Sequence, residues 1–169
     1  GIAVNPMYWA LWAQRHMAEY GTTEKQLALV SVKNHKNGAL NPYAMYQKEM
    51  SLEEVMNSPL VCDPLRLFEL CAPNEGAAAA VLCSEEVARR YTSNPVILAG
   101  VSLRSTLYPQ TRGPSYSIPS ELKNPWPTTM AAQEAYELAG IGPEDLDLAE
   151  VQDTDAFSEI RYTEELGLC

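Results

Sequence analysis

Apolar residues in the first third of the chain recur at helical spacing. From Asn5 to Tyr20, Met7, Tyr8, Leu11 and Trp12 share one face, behind an Asn-Pro start and ahead of Gly21. That pattern predicts a helix closed by the glycine. Thr23 and Gln26 have the spacing of a capping box, in which each side chain satisfies the other residue's free backbone N–H, and Leu27 and Val30 continue a helical face behind them. Asn37-Gly38 and Asn41-Pro42 break regular structure, so residues 37–46 read as an irregular loop. Ser51 and Glu54 form a second capping box, opening a short helix that Pro59 stops.

The pattern then changes to short apolar runs. Gly76 to Cys83, GAAAAVLC, is too short for a typical helix, and its length and flanks predict a strand buried on both faces, against alanine's own helix preference. Ser84 caps a following helix with Glu85 and Glu86 at its positive end. Residues 94–103, NPVILAGVSL, are rich in Val and Ile and predict a second strand. Residues 106–127 carry repeated prolines without a period and read as a long loop and a candidate pocket wall. A helix ending at Gly140, a Pro-Glu-Asp turn, the strand LDLAEV and a last helix from near Asp155 to Leu166 complete the chain. Helices alternating with buried strands indicate a layered α/β protein, in which ligands gather at the carboxyl ends of strands. The loop after Val151 is such a place.

Composition narrows the function classes. The 169 residues, 46% hydrophobic and 20% charged, suit one globular domain with a sizeable core. A net charge of -10, spread over the whole length, excludes nucleic acid or an anionic membrane as the expected partner. No run is apolar enough to span a bilayer and no basic-then-apolar leader is present, so a cytoplasmic protein is expected. Cys62, Cys71, Cys83 and Cys169 form no C-x-x-C pair, and three of them sit in apolar runs where a thiol is expected to be buried. Residue 1 is Gly rather than Met and the chain stops at LGLC, which suggests a piece of a longer protein.

Asp153, Thr154 and Asp155 stand where a helix starts, and caps for free N–H groups explain them without further function. Gln152, just past a predicted buried strand, suits donation to a carbonyl oxygen and equally suits closing a strand edge. His35, between Asn34 and Lys36, lies near a helix end, where a cation meets the negative pole of the dipole. His16 acquires no role, and two separated histidines without ligands at metal spacing predict no metal site.

Four motifs follow one another from Lys33 to Ala80: KNHK at Lys33–Lys36, NPY at Asn41–Tyr43, SLEEVM at Ser51–Met56, and CAPNEGAAAA at Cys71–Ala80. In this order they closely resemble the sterol-carrier-protein type of thiolase. The closing stretch from Glu150 to Cys169 resembles that family's E-V-H-D-C-F segment and the L-G-L-C after it. The resemblance implies a partial thiolase-like α/β fold of layered αβαβα halves. Residues 1–94 would be the end of the N-terminal half with its loop region, and 95–169 the start of the C-terminal half. It also implies an acyl-CoA acyltransferase that makes or breaks a carbon–carbon bond beside a CoA thioester, with the thioester as substrate and no covalently bound cofactor. A homodimer is the family's usual assembly.

Two departures stand inside the matched segment. Gln152 takes the place of the family's His and Thr154 that of its Cys. Gln152 can donate an N–H to an oxyanion but carries no proton at neutral pH. The resulting Q-D-T-D-A pattern is similar to a subgroup of bacterial thiolase-like lipid-transfer proteins. Some of that wider group cleave steroid side-chain CoA thioesters by a retro-aldol step, beside a small zinc-containing OB-fold partner. The resemblance therefore offers Gln152 as oxyanion donor, Asp153 as the residue orienting its loop, and His35 and Asn41 as substrate-binding residues, with no metal ligand. The family's nucleophilic cysteine motif lies upstream of these residues and its G-H-P loop downstream, so the piece by itself is expected to be inactive. The alternative is a thiolase-like subunit without catalysis that binds acyl-CoA or scaffolds a partner.

Overall fold

The computed structural model describes residues 5–105 and 126–169. Helix α1 spans Asn5–Tyr20 and stops at Gly21, whose φ of +75° suits glycine and whose N–H reaches the Met17 carbonyl at 3.0 Å. Helix α2, Glu24–Gly38, opens with the expected capping box: the Gln26 N–H donates to Thr23 Oγ1 at 3.3 Å, and the Thr23 N–H to Gln26 Oε1 at 2.8 Å. It runs two residues into the predicted loop, so His35 sits in its last turn. Helix α3, Leu52–Met56, carries the second box, with the Ser51 N–H donating to Glu54 at 2.8 Å. That bond and the Lys48 ammonium hold the Glu54 carboxyl down at about 2.

A small antiparallel hairpin follows, which the hydrophobic pattern did not announce. Strand β1 (Leu60–Cys62) pairs with β2 (Leu65–Arg66), Leu60 opposite Arg66 and Cys62 opposite Leu65. The Gln14 amide ties its Asp63 corner to α1, donating to the carbonyl at 2.9 Å and to the carboxylate at 2.7 Å. A 3-10 turn at Leu67–Glu69 leads out of β2. Short helix α4 (Glu85–Ala88) is capped by Ser84 as expected. Helix α5 (Pro127–Ala139) ends at Gly140 with φ +68°, and α6 (Ala156–Glu165) begins at the Asp155 cap.

The core joins both ends of the chain. Ala10 and Ala13 of α1, Leu27 of α2, Leu65 of the hairpin, and Ala156 and Phe157 of α6 form one buried cluster. Around it, the Arg161 guanidinium lies 4.4 Å from the Trp12 ring and 4.9 Å from that of Trp126, while pairing with Glu165 at 2.6 Å. One cation thus links α1, the start of α5 and α6. His16, without a role in the sequence, bridges Thr22 at 2.8 Å and Glu164 at 3.0 Å. The Tyr136 hydroxyl donates to the Leu166 carbonyl at 2.9 Å and fixes α5 to α6.

Three expected strands are absent. Residues 76–83, 94–103 and 146–151 form no strand, and the hairpin is the sheet found among the described residues. Their apolar side chains are outside: Val81 is 93% exposed and Val96 98%. A strand exists only with a hydrogen-bonding neighbour, and the described residues offer these segments none. The same lack corrects the cysteine expectation, since Cys71, Cys83 and Cys169 are exposed and Cys62 is half-buried. The segment around Gly100 packs on α5 instead, so closely that a Cβ there would lie 2.6 Å from the Ala135 carbonyl oxygen. Arg104 pairs with Glu134 of α5 at 2.8 Å. The proline-rich loop expected over 106–127 falls almost entirely outside the described residues. No helix among the described residues is long and apolar enough to cross a membrane.

Candidate functional site

A cleft of about 260 Å³ opens where the C-terminal half of α2, residues 44–46, residues 68–74 and the start of α6 meet. Ser31 of α2 donates its hydroxyl to the Phe68 carbonyl and holds the 3-10 turn against the helix. His35 then contributes an aromatic wall, its ring 5.4 Å from Tyr46 and 6.2 Å from Phe68, the latter edge-on. Asp153 also lines the cleft. The site thus combines a flat apolar side with a few polar groups, the usual make-up of a small-molecule site.

The segment before α6 is fixed by backbone first. The Cys71 N–H donates to the Thr154 carbonyl at 3.0 Å, and Leu70 and Asp155 form an isolated antiparallel bridge. Asp155 is the cap the sequence predicts: Oδ1 accepts the Ser158 N–H at 2.9 Å and Oδ2 the Ser158 hydroxyl at 2.5 Å. Burial raises its carboxyl pKa, and the Ser158 bonds oppose the rise. Side chains add a second set of ties, because the Asn34 amide nitrogen donates to Asp153 Oδ2 at 3.3 Å and to Glu159 Oε2 at 2.7 Å. The Lys33 ammonium pairs with the other oxygen of Glu159.

The expected site residues therefore divide. His35 and Asp153 line one cleft. Gln152 is exposed next to Asp153, without a hydrogen bond to its side chain among the described residues, and is not part of the cleft wall. Asn41 lies outside the cleft and accepts the Tyr43 N–H at 2.9 Å, shaping the turn rather than the wall. Sequence reasoning missed Asn34 and Glu159. Asn34 stands inside the KNHK motif, but its partners are more than a hundred residues away and no local pattern links them.

Glu69 was also missed. It is 3% exposed, its Oε2 accepts the Arg66 N–H at 2.8 Å, and its Oε1 is buried without a hydrogen-bond partner among the described residues. Burial pushes its carboxyl up to about 7, against the pull of Arg66 and with help from the carboxylates of Glu24 and Asp155. An acid raised in the folded state stabilises fully below its unfolded value of 4.5, and this contribution is lost as the pH rises through 7. Glu69→Gln, neutral at every pH, is therefore expected to leave stability near pH 4 unchanged. At pH 8 it should raise stability by on the order of 1–2 kcal/mol, allowing for solvent screening. Denaturant melts of the variant at the two pH values check this; Asp155, raised in the same direction, leaves a residual slope.

No protein-family model matches the chain. It is 40% identical over 162 residues to the benzoylsuccinyl-CoA thiolase subunit BbsB of Thauera aromatica, covering 95% of this chain and 40% of that protein. Among solved structures, the Ltp2-ChsH2(DUF35) aldolase superposes with a TM-score of 0.83 and 29% identity, over 98% of this chain and 43% of that one. The chain belongs to the thiolase superfamily. Within that superfamily it is of the sterol-carrier-protein type, being 34% identical over 169 residues to sterol carrier protein 2 of Gallus gallus, 98% of this chain and 30% of that protein. Its partial thiolase-like α/β fold follows the aldolase chain almost throughout. The chain spans about 40% of the length of the thiolase subunit it matches.

Proposed function

We propose that these residues are part of a thiolase-superfamily enzyme that cleaves or forms the C2–C3 bond of an acyl-CoA thioester. The observation that carries the reading is the 0.83 superposition on an aldolase together with 40% identity to a CoA thiolase subunit. Both reactions put charge on the thioester oxygen, and an N–H placed there lowers the barrier. In thiolysis a 3-ketoacyl-CoA and free CoA give two shorter thioesters. In retro-aldol cleavage a 3-hydroxyacyl-CoA loses its hydroxyl proton to a base, C2–C3 breaks, C2 takes up a proton, and a ketone or aldehyde leaves. Gln152 would be the oxyanion donor in either, Asp153 the residue that orients its loop, and His35 would line the acyl pocket, with Asn41 setting the turn that leads to wall residues 44–46.

Gln152 in place of a histidine favours the aldol branch, in which the carbon–carbon step needs no acyl-enzyme. Sterol side-chain or fatty-acid degradation is the corresponding role, in the cytoplasm and as a homodimer. Residues 1–94 would close the N-terminal half and 95–169 open the C-terminal one. The aldolase it resembles joins Ltp2 with ChsH2, which supports a partner protein; a small zinc-containing OB-fold protein is the proposed one. The Gln152 side chain, exposed and without a hydrogen bond among the described residues, favours a second reading, a subunit that binds acyl-CoA without catalysis.

Incubating the complete protein, with and without that partner, separates the readings. The substrates are a 3-ketoacyl-CoA with CoA, and a 3-hydroxyacyl-CoA branched at C3. A released ketone or aldehyde is expected from the second substrate. Saturable binding of both with turnover of neither would establish the binding subunit instead.

A further inference from the structure

The ties between the KNHK motif and α6 carry one inference beyond this reading, on which it rests. We infer that Lys33, Asn34 and Glu159 are positioning residues, a clamp that sets the Gln152-Asp153 loop at the mouth of the cleft for reaction. Asn34 stands at the centre. Its amide nitrogen donates at once to Asp153, at 3.3 Å, and to Glu159, at 2.7 Å, while Glu159 receives the Lys33 ammonium on its second oxygen. Two of these groups are consecutive on α2 and one lies in the first turn of α6, so the loop between is held from both helices.

The arrangement is asymmetric in a way that suits positioning. Glu159 is half-buried and both of its oxygens are bound, so its orientation is fixed; Lys33 is exposed and serves as a charge on the outer side. Two carboxylates, Asp153 and Glu159, share one uncharged donor, and Lys33 offsets the repulsion between them. Backbone bonds already hold Thr154 and Asp155. The side-chain clamp therefore acts on the two residues upstream, where the backbone bonds end. The Gln152 side chain makes no hydrogen bond among the described residues, so the tie on its neighbour Asp153 is what fixes the backbone from which it projects. A displacement of about 1 Å at such a group is enough to cost a large factor in rate.

The test uses the complete protein carrying Glu159→Gln, which is isosteric, Asn34→Ala, and Lys33→Arg as the conservative control. Amide hydrogen exchange over residues 150–156 is followed together with turnover of the branched 3-hydroxyacyl-CoA. Exchange of that peptide is expected to quicken at least tenfold in Glu159→Gln and Asn34→Ala and to stay unchanged in Lys33→Arg. In parallel kcat should fall about tenfold with KM within twofold, and in a Gln152→Ala background the clamp substitutions should bring no loss beyond that of Gln152→Ala alone. Unchanged exchange at 150–156 in both variants overturns the clamp, as does faster exchange with unaltered kcat where Gln152→Ala alone lowers turnover. If Gln152→Ala alone leaves turnover intact, the role of Gln152 fails, whatever the exchange shows.

Discussion

Replacing Gln152 by Ala in the complete protein is expected to lower turnover by on the order of ten- to a thousandfold, the usual loss when one oxyanion donor is removed. The side chain is exposed and makes no hydrogen bond among the described residues, so its truncation removes no packing. Stability should accordingly stay within about 0.5 kcal/mol of the parent, the range for surface positions without special contacts. This pairing of a large kinetic effect with no stability effect separates a catalytic amide from a structural one. Gln152→Glu sharpens the comparison, since a carboxylate beside a developing oxyanion repels it and should be worse than Ala. Turnover measured beside a thermal melt reads both at once. A drop in melting temperature with intact turnover would make Gln152 part of the scaffold.

Phe157→Ala should act in the opposite sense, with stability lost first. Phe157 is 1% exposed, is the largest of the fully buried side chains, and lies in the cluster of Ala10, Ala13, Leu27, Leu65 and Ala156. Most of these neighbours are alanines on helix backbones, which cannot move in to fill the space. The expected loss is therefore at the upper end for such a truncation, about 3–5 kcal/mol. The His16 ring, 5.4 Å away, would lose its edge contact as well. A denaturant melt checks the loss, and a change below about 1 kcal/mol would mean that the α1–α2–α6 core is looser than its burial indicates.

Local chemistry made the helices legible. Both capping boxes, the Ser84 and Asp155 caps and the glycine ends at Gly21 and Gly140 depend on residues within four positions of each other, and all stand where the sequence puts them. The apolar runs at 76–83, 94–103 and 146–151 were a different case. Val and Ile mark a segment that favours a ladder, but the ladder belongs to the neighbouring strand, which these residues do not supply. The hairpin at Leu60–Arg66 escaped notice because its strands are short and lack alternation.

The site was legible in its motifs and not in its contacts. KNHK and the Gln152-Asp153 loop were each recognisable alone, and the resemblance put His35 and Asp153 among the site residues. Nothing in the one-dimensional pattern says that Asn34 meets Asp153 and Glu159 across 119 and 125 positions. Nor does it say that Glu69 is buried, since a Glu in LFEL reads as a surface residue until Arg66 and the packing around it are known. Long-range electrostatics is a property of the fold and enters only with it.

The mass spectrum of the CoA products formed from a branched 3-hydroxyacyl-CoA tests the central claim most directly. With the complete protein and the small OB-fold partner proposed above, the account predicts a shorter acyl-CoA, cut between C2 and C3, and an equimolar ketone. Free CoA with an intact 3-hydroxy acid would instead mean that the thioester, not the carbon–carbon bond, is the bond broken, and would contradict it.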